Sequence, residues 1–431
     1  MWIGKLYGIM CLAVSQHQST RDLPETKPWV DEIIQKYSMK IHQCLALGRY
    51  QECPPDTIET LCFILNIQLM QSKDAHMDNL VILGVIVRIA QRMGYHRDAS
   101  HFPHISPFQG EMRRRIWALV CDMDTLFSSS AGIPRLLREF QSDTAPPRNL
   151  LDEDFDEDTI ELPPSRPSSF DTPCQWLVSK NRIISMLGII FDFSTSIRRP
   201  GYGEVMHLEK ALHETHKSLP GHYHEKPMSQ SIMDSPDLIL CRIKLVLLLE
   251  KSRCVLHYRY LAPSRTDERY SHSRNTCILA SLHILECHRL VHEEVQPGGR
   301  LYTQRWETNS PVFRGKFFLA TTLLCLELNF DLSDNNPKQI PLAENLRHRM
   351  IQALQKSYTI WMRSNGLSSE TKRTIQALDL IFTKLPDREK NTTSQGTFDP
   401  ADIAEFGMGP DMNNGTCSVA FANLHFMTRT H

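Results

Sequence analysis

The sequence predicts an all-α protein, with a single large multi-helix domain over residues 1–386 and a disordered tail over residues 387–431. Apolar residues recur every three or four positions through most of the chain, which is the period of a helix with one buried face. Ser-Pro pairs and glycines stand where these segments begin and end. No segment shows a convincing strand pattern, and no repeat of fixed period is present.

The composition argues against several functional classes. The 48 basic and 49 acidic residues nearly balance, whereas a dedicated nucleic-acid module usually carries a basic excess on one face. The twelve cysteines contain no C-x-x-C pair, which argues against zinc fingers, zinc ribbons and thioredoxin-like sites. No apolar run approaches the ~18 residues of a membrane span. The apolar N-terminus lacks a compact basic region and a clear cleavage site, so it is interpreted as a first helix, or as a helix entered partway through, rather than as a signal peptide.

Two helices are predicted between residues 56 and 98. In the first, residues 56–71, the apolar side chains of Ile58, Leu61, Leu65 and Leu69 recur at helical spacing. The second, "NLVILGVIVRIAQRMGYHRD", is apolar nearly all round, so it is expected to be central in the fold. Gly94 is placed to end it as a left-handed residue.

The most regular apolar stripe belongs to the next helix, which opens with "SPFQGEMRRRIWALVCDMD" at residues 106–124. Ser106 is a good N-cap, Pro107 suits the first helical position, and Gln109 completes a capping box. Gly132 and Pro134 are expected to end the helix. The stripe is formed by Met112, Ile116, Leu119, Met123 and Leu126, and Trp117 widens it.

Three consecutive arginines, Arg113, Arg114 and Arg115, lie against this stripe and fan over about 200° of the helix. Glu111 is three residues before Arg114 and four before Arg115, so pairs within the helix are available. Because basic residues near a helix N-terminus oppose the macrodipole, an acidic partner from another segment is expected. The acidic run 152–158 is the predicted partner, with Arg114 as its contact; phosphate binding and partner docking remain open alternatives.

Residues 141–173 are rich in proline and acidic residues and have little periodicity, so they are predicted to form an extended connection on the surface. Further helices are predicted beyond this connection. The helix at 235–261 again opens with a Ser-Pro pair. The predicted ranges are 174–198, 204–218, 235–261, 274–295, 313–330, 343–364 and 369–384.

Two groups of side chains have the composition of metal sites. The acidic run 152–158 could bridge magnesium as in isoprenoid enzymes, but it lies in a segment that does not look helical, so a solvated loop is expected. Glu209, His213 and His216 share one helix face, yet their spacing is not H-E-x-x-H. No catalytic, cofactor-binding or metal-binding residue is therefore predicted, and the protein is not expected to be an enzyme.

The motifs of residues 89–137, taken together, resemble the fungal-specific transcription factor domain. This is the helical middle homology region that follows a binuclear zinc cluster in fungal regulators. The likeness extends over most of residues 1–385. The residues that match the family motifs are Gly94, His96, Arg97 and Asp98, then Ser106 and Pro107, then Glu111, Met112, Arg113, Arg114, Arg115 and Trp117, and finally Asp124, Gly132 and Pro134.

The resemblance implies a nuclear transcription regulator whose helical domain modulates activity through a small-molecule effector, intramolecular inhibition or partners. The expected partners are the transcription machinery or another regulator, as a homo- or heterodimer, and no membrane. DNA would be contacted only through an N-terminal zinc cluster, which this sequence lacks, and zinc is expected only with that cluster. A truncated gene model, a fragment and a regulator without a DNA reader are the open explanations. The alternatives are a helical scaffold or partner protein without DNA contact and, less favoured, an all-α metal-dependent isoprenoid enzyme.

In the tail, Phe398, Ile403, Phe406 and Met408 stand among acidic residues and weakly resemble an activation segment. An unstructured tail is the plainer interpretation.

Overall fold

The computed structural model describes residues 1–21, 27–71, 77–197, 201–333, 340–363 and 368–386, and the regular structure in these ranges is helical throughout. The predicted all-α class is confirmed for them, while the predicted tail 387–431 lies outside them. The α-helices in these ranges are α1 (Trp2–Arg21), α2 (Lys27–Leu47), α3 (Thr57–Gln71), α4 (Met77–Arg92), α5 (Pro107–Ala131), α6 (Pro173–Thr195), α7 (Tyr202–Lys217), α8 (Pro236–His257), α9 (Ser271–Glu294), the single turn α10 (Arg305–Thr308), α11 (Pro311–Ser333), α12 (Glu344–Met362) and α13 (Ser369–Lys384).

Local capping signals set the ends of several helices as predicted. The Ser106 half of the predicted capping box is present: the Ser106 side chain accepts a hydrogen bond from the backbone N–H of Gln109 at 3.2 Å. Ser235 accepts in the same way from Leu238 at the start of α8. Gly132 caps the end of α5 with a φ of 69°. Gly94 has a φ of 74° just beyond α4, so it is the left-handed residue that the sequence predicts.

The first five helices share one apolar core. α1 lies along α2 and α3, and the predicted first helix is therefore present. No helix in the described part of the chain is long and apolar enough to cross a membrane. The core is built from residues that include Ile41, Ile58, Leu65, Ile86 and Trp117.

α8 is the central helix of the remainder of the fold. One face packs into a core with α6 and α7, and another packs into a core with α9, α11, α12 and α13. The prediction that the segment now seen as α4 is central was wrong, because Val81 on that helix is 68% exposed. Apolar content alone does not reveal centrality, since α8 also buries charged side chains such as Glu250 and Lys251.

The segment between α5 and α6, residues 132–172, is called the connecting segment below. Residues 141–173 are predicted to lie on the surface, and this holds for the acidic tip, where the Asp152 side chain is 90% exposed. The prediction is wrong for Asn149, Leu150 and Phe155, which are buried. Irregular backbone can be buried here because the Asn149 side chain supplies hydrogen bonds to its carbonyl groups. The Asn149 amide donates to the Pro167 carbonyl at 3.1 Å.

Two buried histidines make the fold sensitive to acid. His288 lies between the rings of Phe317 and Trp361, with centroid distances of 4.3 and 4.5 Å. Burial lowers the pKa of His288 to about 3 and the pKa of His257 to about 4. Both side chains are therefore neutral in the folded protein at neutral pH.

We expect the free energy of unfolding to fall as the pH drops below about 6.5, the ordinary histidine pKa. The unfolded chain takes up protons there that the folded chain does not bind, so each histidine contributes up to about 1.4 kcal/mol per pH unit. Urea titrations at pH 7, 6 and 5 should show this slope, and His288→Leu should reduce it. His42→Gln on the exposed face of α2 serves as the control. Equal slopes for His288→Leu and the wild type would contradict the assignment.

Candidate functional site

The turn before α5 is tied to two other parts of the chain by one carboxylate, Asp98. Its oxygens accept two hydrogen bonds from the Arg114 guanidinium at 2.8 and 2.9 Å, and one from the backbone N–H of Ala145 at 2.9 Å. Ser100 N–H donates to it as well, at 3.0 Å. Chiefly because of the Arg114 hydrogen bonds, the pKa of Asp98 lies well below its usual range. Asp98 therefore joins the turn, α5 and the connecting segment.

Arg113 and Arg115 contact different partners from Arg114. Arg113 donates to the Met93 carbonyl, and its guanidinium lies 4.5 Å from the centre of the Tyr95 ring. Arg115 contacts the acidic run through Asp152 at 2.6 Å and the Phe155 ring at 5.0 Å.

Pairing of the arginine triplet with the acidic run is thus confirmed, but the predicted contact was wrong: Arg115 reaches the run and Arg114 does not. The helix turns by about 100° per residue, so Arg114 points instead to the preceding turn, where it meets Asp98.

Two buried carboxylates of α5 hold the backbone of the connecting segment. Glu111 is fully buried; it pairs with Arg115 at 3.3 Å, as its spacing predicts, and accepts a hydrogen bond from the Arg148 N–H at 3.1 Å. Asp124 accepts from the N–H groups of Leu136 and Leu137 at 3.1 and 2.9 Å. Burial raises the pKa of both carboxyl groups. Together with Asp98 and the three arginines, they form what we call the α5 polar network.

Sequence reasoning missed the buried arginine of this site, Arg135. Its guanidinium pairs with Asp192 of α6 at 3.2 Å and with Glu139 at 3.0 Å. It also lies against Gly188, where an added Cβ would come within 2.3 Å of Arg135 Nη1. The available signal was a single glycine inside an otherwise apolar helix pattern, which often marks a close approach of another group.

The other motif residues support the same junction. The His96 carbonyl accepts hydrogen bonds from Ser142 Oγ at 3.0 Å and from the Asp143 N–H at 3.2 Å. Arg97 pairs with the Asp143 carboxylate at 2.9 Å. Trp117 is buried in the first core, Met112 is half-buried, and Pro134 lies exposed after the Gly132 cap.

A cleft of about 190 Å³ opens beside this network, between α5, the connecting segment and α6, and we call it the α5–α6 cleft. Three guanidinium groups and one carboxylate line it, together with an indole ring and small polar groups. Burial raises the pKa of the Cys121 thiol far above its ordinary value, so this group is not an activated nucleophile. The guanidinium, amide and hydroxyl groups of the lining can donate hydrogen bonds to a bound molecule. The lining includes Arg114, Trp117, Cys121, Arg135, Arg138, Glu139, Asn181 and Ser185.

The structure does not assemble the metal sets considered from sequence. Glu209 pairs with His272 of α9 at 2.8 Å, while the His216 ring lies 5.0 Å from that of His224. In the acidic run, Asp154 pairs with Arg166. Across the described residues, no group of three or more His, Cys, Asp or Glu side chains is arranged to hold a metal ion.

Comparison with known proteins gives a consistent set of relatives. Residues 6–219 match the family described as "Fungal specific transcription factor domain". The Zn(2)-C6 fungal-type transcription factor pigI of Monascus ruber is 46% identical over 410 residues, which are 94% of this chain and 49% of that protein. The Zn(2)-C6 fungal-type transcription factor mpsB of Macrophomina phaseolina is 37% identical, over 91% of this chain and 54% of the relative. The equisetin cluster transcription factor eqxF of Fusarium heterosporum is 32% identical, over 95% and 60%.

The chain spans about half the length of these curated relatives. No solved structure matches it significantly.

Proposed function

Through residues 6–219 the chain belongs to the family of the fungal-specific transcription factor domain, and we propose that it acts as the regulatory domain of a transcription regulator. The observation that carries the proposal is the alignment of 94% of the chain with a relative named as a transcription factor. Because the chain spans about half of that relative, the activity of the whole protein is part of the proposal.

The α5–α6 cleft is the proposed point of control. Arg114 and Arg135 line it, and the same two side chains hold the turn, the connecting segment and α6 together. A molecule that binds these arginines therefore competes with, or reinforces, the contacts that set the position of the connecting segment. Differential binding of this kind is the physical requirement for regulation by an effector.

The lining indicates the class of effector. Three guanidinium groups line the cleft, and each already pairs with a carboxylate, so an acidic or acceptor-rich ligand would bind by taking the place of one of these partners. The volume of about 190 Å³ is below the roughly 300–1,000 Å³ of sites for drug-sized molecules. The proposed ligand is therefore a small organic acid or a single acidic side chain of a partner protein.

DNA reading, zinc binding and catalysis are not assigned to this chain in the proposal. The DNA-binding domain of family members holds two zinc ions with closely spaced cysteines. The cysteines of this sequence form no C-x-x-C pair, so it supplies no such set of zinc ligands. The proposed compartment is the nucleus, and the proposed partners are the transcription machinery or another regulator. We expect no turnover when the protein is incubated with magnesium and an isoprenyl diphosphate.

A reporter assay tests the proposal. The chain, fused to a heterologous DNA-binding domain, is expected to change expression from a promoter carrying that domain's site. Ser185→Phe, which fills the α5–α6 cleft, is expected to alter this output. Ser168→Phe, at an exposed position of the connecting segment that does not line the cleft, should leave it unchanged.

A folded, nuclear fusion protein with no effect on the reporter would reject the regulatory function. Co-purification with a longer family member would then favour the helical partner protein. Equal output from the wild type and Ser185→Phe would reject only the role of the cleft.

A further inference from the structure

The carboxylates that pair with the arginines of the α5–α6 cleft differ in how firmly they are held. The Asp98 side chain is 7% exposed and accepts several hydrogen bonds. The Asp192 side chain is 17% exposed and pairs with both Arg135 and Arg138. The Glu139 side chain is 44% exposed, and Arg135 is its one ion-pair partner among the described residues. Glu139 is therefore the carboxylate that a molecule from solution can displace most easily.

Glu139 already binds Arg135 in the geometry of a bound acid. Its two carboxylate oxygens accept hydrogen bonds from Arg135, at 3.0 Å from Nη1 and at 3.1 Å from Nη2. A guanidinium binds the carboxylate of a ligand through the same two parallel hydrogen bonds. Glu139 lines the cleft, and its short turn, Glu139–Gln141, contains no buried residue. The side chain can therefore turn into solvent without opening an apolar core.

Arg135 has the contacts to keep its position when Glu139 leaves. Its Nε donates to Asp192 at 3.2 Å, and its Nη1 donates to Thr125 of α5 at 3.3 Å. The guanidinium also lies against Gly188 of α6, where the missing side chain leaves room for it. Because the Arg135 side chain is only 4% exposed, loss of Glu139 leaves a fixed and largely buried cation that lacks one of its carboxylates. Such a cation is preorganised to bind another carboxylate.

We propose that Glu139 occupies the position of the carboxylate of a small organic acid, which binds Arg135 once Glu139 has turned into solvent. Leu137, Ile184 and Pro146 also line the cleft, so an acid with a short apolar chain fits it better than an inorganic anion does. Binding frees the Glu139–Gln141 turn from Arg135 and so changes the exposed surface of the connecting segment. The inference deepens the proposed function and rests on it.

Unfolding by urea at rising butyrate concentrations tests the inference, because a ligand that binds only the folded state stabilises it. Glu139→Ala empties the carboxylate position, and Glu139→Gln keeps the size of the side chain but removes its charge. We expect butyrate to bind Glu139→Ala about tenfold more tightly than the wild type, which must first release Glu139. Glu139→Gln should lie between the two. The measurements are made at neutral pH and constant ionic strength.

Two controls separate this site from general effects of salt and charge. Butyramide has the shape of butyrate without its charge and should stabilise none of the proteins. Glu214→Ala removes another carboxylate that pairs four residues away along the chain, with Lys210, but it does not line the cleft. This variant should respond to butyrate like the wild type.

Equal responses to butyrate in the wild type and both Glu139 variants would overturn the proposal, as would equal effects of butyrate and butyramide. Tighter binding of N-acetylglutamate amide than of butyrate to Glu139→Ala would assign the position to an acidic side chain of a partner and overturn the free acid. Butyrate binding as expected, with a reporter that responds to neither butyrate nor Ser185→Phe, would support the site and reject the regulatory function. A reporter that responds to Ser185→Phe, without butyrate binding to any variant, would reject this inference alone.

Discussion

Replacing Asp98 by asparagine is expected to lower the free energy of unfolding by about 2–4 kcal/mol. The Asp98 side chain is 7% exposed and accepts two hydrogen bonds from Arg114, whose side chain is 16% exposed. An asparagine amide of the same size offers one acceptor oxygen and turns its NH₂ group toward a donor. Arg114 is then left partly buried without a counter-charge, which is the costly result of breaking such a pair. Urea denaturation at neutral pH measures the loss.

Asp152→Asn is the matched control for this experiment. It removes a carboxylate that also pairs with an arginine of the triplet, Arg115, but this carboxylate is 90% exposed. Exposed pairs contribute about 0–1 kcal/mol, so a small change is expected. Equal effects of the two variants would contradict the view that Asp98 anchors the α5 polar network.

The pH dependence of the Asp98 effect has a definite sign. The pKa of Asp98 is lowered in the folded protein, mainly by the hydrogen bonds from Arg114. Its stabilising contribution is therefore fully present above about pH 4, near the ordinary carboxyl pKa, and is lost as the pH falls below that value. The difference between the wild type and Asp98→Asn should shrink in acid.

Gly188→Ala is expected to destabilise the fold by about 1–3 kcal/mol, the usual cost of overpacking. An added Cβ would lie 2.3 Å from Nη1 and 2.6 Å from Cζ of Arg135. The guanidinium cannot move away cheaply, because Asp192 and Glu139 hold it from two sides. The substitution should therefore disturb the wall of the α5–α6 cleft as well as the stability, and thermal unfolding followed by circular dichroism measures the change.

Gly84→Ala provides the comparison within another helix. Gly84 lies inside α4, and a Cβ there would meet no atom within 4 Å. Alanine loses less backbone entropy on folding than glycine does, so this variant should gain about 0.5–1 kcal/mol. Opposite signs for the two substitutions are the expected result. If Gly188→Ala were neutral or stabilising, the close packing of Arg135 on α6 would be incorrect.

Local sequence features predicted much of the fold. Ser106 with Pro107 and Ser235 with Pro236 mark the starts of α5 and α8, and Gly132 marks the end of α5. These signals are readable because capping bonds and helix periodicity join residues only a few positions apart. The same short-range logic identified the Glu111–Arg115 pair, which lies within one helical turn.

The candidate site was only partly predictable, because its contacts join distant parts of the chain. Arg135 and Asp192 form an ion pair across a separation of 57 residues, and the local sequence of neither residue predicts its partner. The burial of Asn149 was equally unpredictable. Its side chain donates a hydrogen bond to the Arg166 carbonyl, 17 residues along the chain, whereas the sequence around it is typical of a polar loop. Arg114 and Arg115 are adjacent in sequence but point in different directions from α5. Arg114 therefore pairs with Asp98, and Arg115 pairs with Asp152.

The sequence by itself determined the helical class, several helix ends and the family motif of residues 94–134, since each of these depends on spacing along the chain. Only the tertiary structure decided which carboxylate each arginine meets, that α8 rather than α4 is central, and that α1 exposes large apolar residues such as Trp2. Those outcomes depend on which faces of distant helices come together. Burial and pairing follow from that long-range packing, and an apolar stripe is the same in sequence whether it faces a core or solvent.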